Sequence, residues 1–219
     1  MNPDPNNACG RSDKRWWGVQ RKRLAEIPSY SDPRDATQAI LYYMLRVMSK
    51  NAPKSDKPHL KVQVWIASSD PKRPNSGWKV LLLKMRKDRG GYWQPVTGSV
   101  EKGERIPKAA LREAVEETGI EFPKKPQSLN ECFRFESRWG GMAEEHGFFL
   151  IAPLTAKGEL PKVRLDPKEH TDYEWVVPSQ AGKRLGFSSN RRMLKVLREH
   201  LRELQKTKTS KKVKTSKGK

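Results

Sequence analysis

Three glutamates, Glu113, Glu116 and Glu117, stand at i, i+3 and i+4, the spacing that puts side chains on one face of a helix. Like charges this close repel unless something positive lies among them. Arg112 sits four residues before Glu116, and Glu104 can reach Arg112 from the preceding loop, yet excess negative charge is left over. Hard divalent cations with oxygen ligands are the natural complement of such a face. Leu111, Val115 and Thr118 fall on the other side and read as the surface that buries against a sheet. The bland alternative is a solvated acidic helix, and three glutamates alone do not displace it.

The elements that must hold this face are legible around it. Pro107 near a first turn and Gly119 just past a last one bound a helix over Pro107–Thr118. Upstream, Leu60, Val62, Val64 and Ile66 alternate with polar residues, predicting a strand over Leu60–Ala67. Turn chemistry over Asp70–Gly77 separates it from a strand at Trp78–Lys84, and a basic, Gly-containing loop (Arg86–Gly91) leads to Tyr92–Val96. Further strands are expected at Glu131–Arg138, Gly147–Ala152 and Tyr173–Val177. A last helix from about Asn190 to Gln205 carries Leu194, Leu197, Leu201 and Leu204 as one apolar stripe. With about one and a half heptads, that stripe reads as a docking face against the sheet rather than a coiled coil.

Length and composition bound the rest. The 219 residues suit one enzyme domain with extensions, and the net charge of +20 is unevenly spread. Residues 206–219 contribute +7, residues 1–50 contribute +4 and the long middle segment +9. This balance favours polyanionic partners such as nucleotides or nucleic acid. Lys206–Lys219 is Lys/Thr/Ser-rich and is expected to be disordered. Residues 1–50 read as an N-terminal extension with one helix at 35–49, and 57–205 as the catalytic domain. Because the orderly pattern begins only near Lys57, the first 47 residues are expected to be an unordered extension or untranslated sequence upstream of a start at Met48 or Met44. Cys9 and Cys132 permit one bridge but form no disulfide framework, so a reducing, cytoplasmic compartment is the default. No apolar leader and no stretch long enough to span a bilayer is present, so no membrane partner is expected.

From Gly98 to Ile120 the chain fits the pattern G-x5-E-x7-R-E-U-x-E-E-x-G-U, with U aliphatic, at every position. It therefore resembles the Nudix hydrolase superfamily. The resemblance implies an α/β fold, an α/β/α sandwich around a mixed β-sheet, with this segment as a loop-helix-loop. It also implies Mg²⁺ or Mn²⁺ held by Glu113, Glu116, Glu117 and the Gly98 carbonyl, and a Glu104–Arg112 ion pair that fixes the loop. Within that superfamily, Tyr92–Glu104, Glu169–Trp175 and Ser188–Arg191 are similar to the corresponding segments of bacterial dihydroneopterin triphosphate pyrophosphatases. That closer resemblance implies Glu169 as a further ligand or base. It also implies Arg86, Thr97, Lys57 and Ser188 as substrate contacts, with Phe135 and Glu136 lining a ring pocket. His170 reads as a structural histidine and stays outside the catalytic set; Trp93 and Trp175 read as packing residues first.

The implied reaction is cleavage of a triphosphate to a monophosphate and pyrophosphate. General hydrolysis of nucleoside or deoxynucleoside triphosphates, oxidised ones included, is the alternative. A third reading, from another class, is a nucleic-acid-associated protein that uses its basic tail for nonspecific contact.

Overall fold

In the computed structural model the described residues are 57–73, 77–137 and 140–216, with side chains described to 207. The expected helix at 35–49 and the start-site residues Met44 and Met48 lie outside them. Seven strands, β1 (His59–Ser69), β2 (Trp78–Met85), β3 (Trp93–Gln94), β4 (Val96–Ser99), β5 (Gln127–Glu136), β6 (Met142–Ile151) and β7 (His170–Val176), form one mixed sheet. Its order is β3-β2-β1-β6-β5, with β4 paired to β1 and β7 paired to β2. Among the described residues three α-helices accompany it: α1 (Ile106–Thr118), α2 (Pro178–Arg184) and α3 (Ser188–Ser216).

β1 sorts the molecule into layers, because successive side chains point to opposite faces. Val62, Val64 and Ile66 join Leu81, Leu83, Val96, Phe148 and Leu150 in a core closed by Ala109, Ala110 and Ala114 of α1. Gln63 and Trp65 point the other way and are equally buried, under α3, whose Asn190 bonds to Gln63. Leu194, Leu197 and Leu201 are buried as the docking stripe requires, and the Leu201 carbonyl accepts from Trp78 Nε1 at 3.1 Å. The α/β/α sandwich thus follows from both faces of a central strand being covered.

Several expectations need adjusting. Tyr92–Val96 is two short strands, parted at Pro95, which has no N–H to give a ladder. β5 and β6 start earlier than expected, and α2 was not foreseen because its sequence, Pro178–Arg184, carries no apolar period. On α1 the buried face is built from alanines, while Val115 is 39% exposed; small side chains let the helix approach the sheet more closely than Leu and Val would. The helix of the last segment continues to Ser216, so the tail expected to be disordered is helical over residues 206–216. Lysine is a good helix former, and lysines near a helix C-terminus complement its dipole. Cys132 on β5 is disulfide-bonded, which the cysteine count permitted but did not require. No described helix is long and apolar enough to cross a membrane.

The described residues fall into two compact units: Leu60–Cys132 with 145–216, and 57–59 with Phe133–Glu144. The second carries an Arg134–Glu144 ion pair of 2.7 Å.

Candidate active site

The helix of the acidic face is fixed at both ends by local chemistry. Pro107 occupies its first turn, and Gly119 ends it in the left-handed region (φ 65°), its N–H returning to the Val115 carbonyl at 2.8 Å. β4 runs alongside, paired to β1 through Val62–Gly98 and Gln63–Thr97. The approach is so close that a Cβ on Gly98 would fall 1.9 Å from Cδ of Glu113. Only glycine leaves room for that carboxylate. The backbone N–H groups of Ser99 and Thr97 hydrogen-bond the carboxylates of Glu113 and Glu117 respectively.

Arg112 is the hub of the loop-helix junction. It donates to both oxygens of Glu104, from Nε (3.1 Å) and Nη2 (2.9 Å), and from Nη2 to the Ser99 carbonyl (2.9 Å). Nη1 reaches Glu113 Oε1 at 2.9 Å and Glu116 Oε2 at 3.0 Å. Glu104 in turn accepts the Glu101 N–H at 3.1 Å, closing the loop on itself. Bidentate Arg–carboxylate pairing gives direction as well as strength. The Arg112 guanidinium holds the Glu104 carboxyl below its usual range.

The remaining two carboxylates behave differently. Burial raises the Glu113 carboxyl above its ordinary range, against the pull of Arg112. Glu117 is 5% exposed and is raised further, by burial first and then by the charges of Glu113 and Glu169. Its Oε2 has no hydrogen-bond partner. His170 Nε2 lies 3.7 Å from it, too far for a hydrogen bond. His170 is itself buried, which pushes its imidazole toward the neutral form. Glu169, one residue earlier, pairs with Arg89 at 3.1 Å. This donor set could hold a divalent cation: it has one buried carboxylate with an unsatisfied oxygen and a half-buried one beside it, both raised in proton affinity by burial first and by neighbouring negative charge second.

Of the other residues singled out from the sequence, Thr97 lies on β4, its hydroxyl accepting from Gln94 Nε2 at 3.2 Å. Arg86 is bidentate to Asp88 (2.9 and 3.3 Å) and donates to the Pro167 carbonyl. Ser188 is exposed at the first residue of α3. Phe135 and Glu136, exposed at the end of β5, and Lys57, exposed before β1, belong to the second unit. Trp175 packs on the core and donates to the Pro161 carbonyl; Trp93 has Lys84 and Arg184 within 5.8 Å of its ring centre.

Sequence reasoning missed His170 as a neighbour of Glu117, and it missed Arg89 as the partner of Glu169. It also missed a second acidic site on the α3 side of the sheet. There Gln63 Nε2 donates to Glu145 Oε2 (3.2 Å) and Asn190 Oδ1 (2.8 Å), while Trp65 Nε1 donates to Gln63 Oε1 (3.1 Å). Burial raises Glu145 to about 7, with Lys61 pulling the other way; Lys61 also lowers Glu117. The one available signal was Lys61, Gln63 and Trp65 alternating with the apolar residues of β1, which reads equally well as a solvated face.

Residues 57–197 match the family described as NUDIX domain. Among curated relatives, an octanoyltransferase of Myxococcus xanthus is 38% identical over 118 residues, 53% of this chain and 31% of that protein. The dihydroneopterin triphosphate diphosphatase of Escherichia coli (strain K12) is 38% identical over 78 residues, 36% of this chain and 47% of that protein. The chain thus spans less than half the length of these two relatives. The nucleoside triphosphatase NudI of Escherichia coli is 34% identical over 105 residues, 45% of this chain and 72% of that protein. Among solved structures, the E. coli dihydroneopterin triphosphate pyrophosphohydrolase superposes with a TM-score of 0.50 at 27% identity, covering 63% of this chain and 95% of that one.

Proposed function

From the premise that the chain belongs to the Nudix family, we propose that it is a hydrolase acting on phosphoanhydride bonds that splits a triphosphate, dihydroneopterin triphosphate or a related (d)NTP, into a monophosphate and pyrophosphate, using Mg²⁺ or Mn²⁺. The observation that supports the metal dependence is the pair of carboxylates on α1, half-buried Glu113 and buried Glu117, whose proton affinities are raised; one Glu117 oxygen has no donor. A divalent ion, when bound, supplies charge neutralisation of the diphosphate and an acidified water.

The chain's own residues do the rest. Glu113 and Glu117, with Glu116 at the exposed rim, Glu169 at the start of β7 and the Gly98 carbonyl on β4, offer oxygens from three elements. Arg112 and Glu104 keep the loop and helix in one geometry, so the ligands need no reorganisation. A glutamate of this set takes the proton of the attacking water. Arg86 meets a substrate phosphate by exchanging it for the Asp88 carboxylate, anion for anion. Thr97 and Ser188 offer hydroxyls to the same substrate.

The 38% identity to a dihydroneopterin triphosphate diphosphatase supports the pterin substrate, and the 34% identity to a nucleoside triphosphatase supports a (d)NTP. Side-by-side rates on dihydroneopterin triphosphate, dGTP, dATP and 8-oxo-dGTP at equal Mg²⁺ test the reading. The pterin or one (d)NTP should turn over at least tenfold faster than the others. Hydrolysis of none of them would overturn the proposal.

A further inference from the structure

Buried polar atoms are almost always paired, and each exception is costly to the fold. Three exceptions in this chain lie together: Oε2 of Glu117 and both ring nitrogens of His170. Glu117 Oε2 and His170 Nε2 face each other at 3.7 Å, beyond hydrogen-bond length, and both side chains are almost fully buried. The backbone fixes this arrangement from two sides. Glu117 is held on α1 against the Thr97 N–H, and His170 opens β7 opposite Met85, where the β2–β7 register slips by a bulge.

With the ring proton on Nδ1, His170 Nε2 is an electron-pair donor like Glu117 Oε2, and a cation between them would accept from both. Glu113 and Glu169 add negative charge to the same place, which selects a cation over a water molecule. Metal–nitrogen and metal–oxygen bonds of about 2.0–2.2 Å allow one ion to span up to roughly 4.3 Å between two ligands, so 3.7 Å suffices. Neutral imidazole is the commonest nitrogen ligand in proteins.

We propose that His170, through Nε2, is a direct ligand of the divalent ion that Glu117 binds, giving this site a nitrogen in an otherwise all-oxygen set. The proposal rests on the metal-site reading above and adds a specific chemical consequence. A nitrogen ligand favours Mn²⁺ and Co²⁺ over Mg²⁺ beyond what carboxylates alone provide. Loss of the imidazole should weaken Mn²⁺ binding by roughly 10- to 100-fold and Mg²⁺ binding less.

Pulsed EPR of the full chain with one equivalent of Mn²⁺, free of nucleotide, reads the bond directly. Protein grown with natural-abundance histidine and with [¹⁵N]histidine should show a directly bonded nitrogen whose coupling changes with the isotope. The coupling should vanish in His170→Asn and His170→Gln. It should survive in a variant with His59, His146 and His200 all replaced by Gln, which leaves His170 as the single histidine and decides the matter even where a His170 variant misfolds. Tightly bound Mn²⁺ with no nitrogen coupling in the natural chain, or a coupling that persists without His170, overturns the proposal while leaving the carboxylate site intact. Absence of any tight Mn²⁺ binding overturns both.

Discussion

The two faces of β1 each look onto buried acid, and they handle it in opposite ways. On the α1 side, Glu117 keeps an unpartnered oxygen beside a second, half-buried carboxylate, Glu113. On the α3 side, Glu145 is just as buried, but Gln63 donates to it and Asn190 completes the chain of amides. The first arrangement is costly for the protein alone, and the proposed cation would relieve it. The second is relieved by a proton, because one hydrogen-bonded carboxyl in an apolar setting is stable when neutral. Burial of an acid alone therefore does not point to a ligand; the unmet bonding demand of Glu117 is what supports the proposed site.

The comparison breaks most visibly at the first site. Glu117→Gln or Glu113→Gln should cut Mg²⁺-dependent turnover by roughly 10²–10⁴-fold with circular dichroism unchanged, since a charged ligand or base is lost. Near-normal rates for both at limiting Mg²⁺ would remove the site from α1. Mg²⁺ should also raise the melting temperature of the natural chain and of Glu145→Gln equally, and that of Glu117→Gln less.

The second site is tested by pH. A Glu145 carboxyl raised from 4.5 to about 7 favours the folded state while it is protonated. Its contribution is whole below about 4.5, fades between there and 7, and is lost above. Glu145→Gln, neutral throughout, should match the natural chain near pH 4.5. It should exceed it by up to on the order of 3 kcal/mol at pH 8, seen as a melting temperature several degrees higher. Parallel melting profiles across this range would mean that Glu145 is not held neutral.

Smaller effects follow from the supports. Gly98→Ala places a Cβ where Glu113 lies and should cost roughly 10- to 100-fold in turnover with a modest change in stability. Truncation after Gln205 should leave kcat and melting temperature unchanged within error, helical though residues 206–216 are. A large loss of either would show that the tail docks on the domain or the substrate.

Much of the first site was legible because its chemistry is local. The i, i+3, i+4 glutamates, Arg112 and Glu104 lie within 14 residues, and helical periodicity alone brings them together. Gly98 was implied by family resemblance, and its close approach to Glu113 gives the physical reason. His170 reads as a structural histidine in the sequence because nothing local ties it to Glu117, 53 residues away. The Glu145 site was invisible for the same reason: its hydrogen bonds span 82 and 127 residues. The tail was misread because its low apolar content says nothing against helix propagation from an anchored end; nucleation is the costly step, and Leu194–Leu201 have already provided it.

The most direct test follows the phosphorus atoms. With Mg²⁺ and the best triphosphate of the panel, ³¹P NMR in ¹⁸O-water should show a monophosphate and inorganic pyrophosphate as first products, with ¹⁸O in one of them. No reaction should occur in EDTA or with Glu117→Gln. Orthophosphate and a diphosphate as first products, or turnover indifferent to EDTA, would contradict the account.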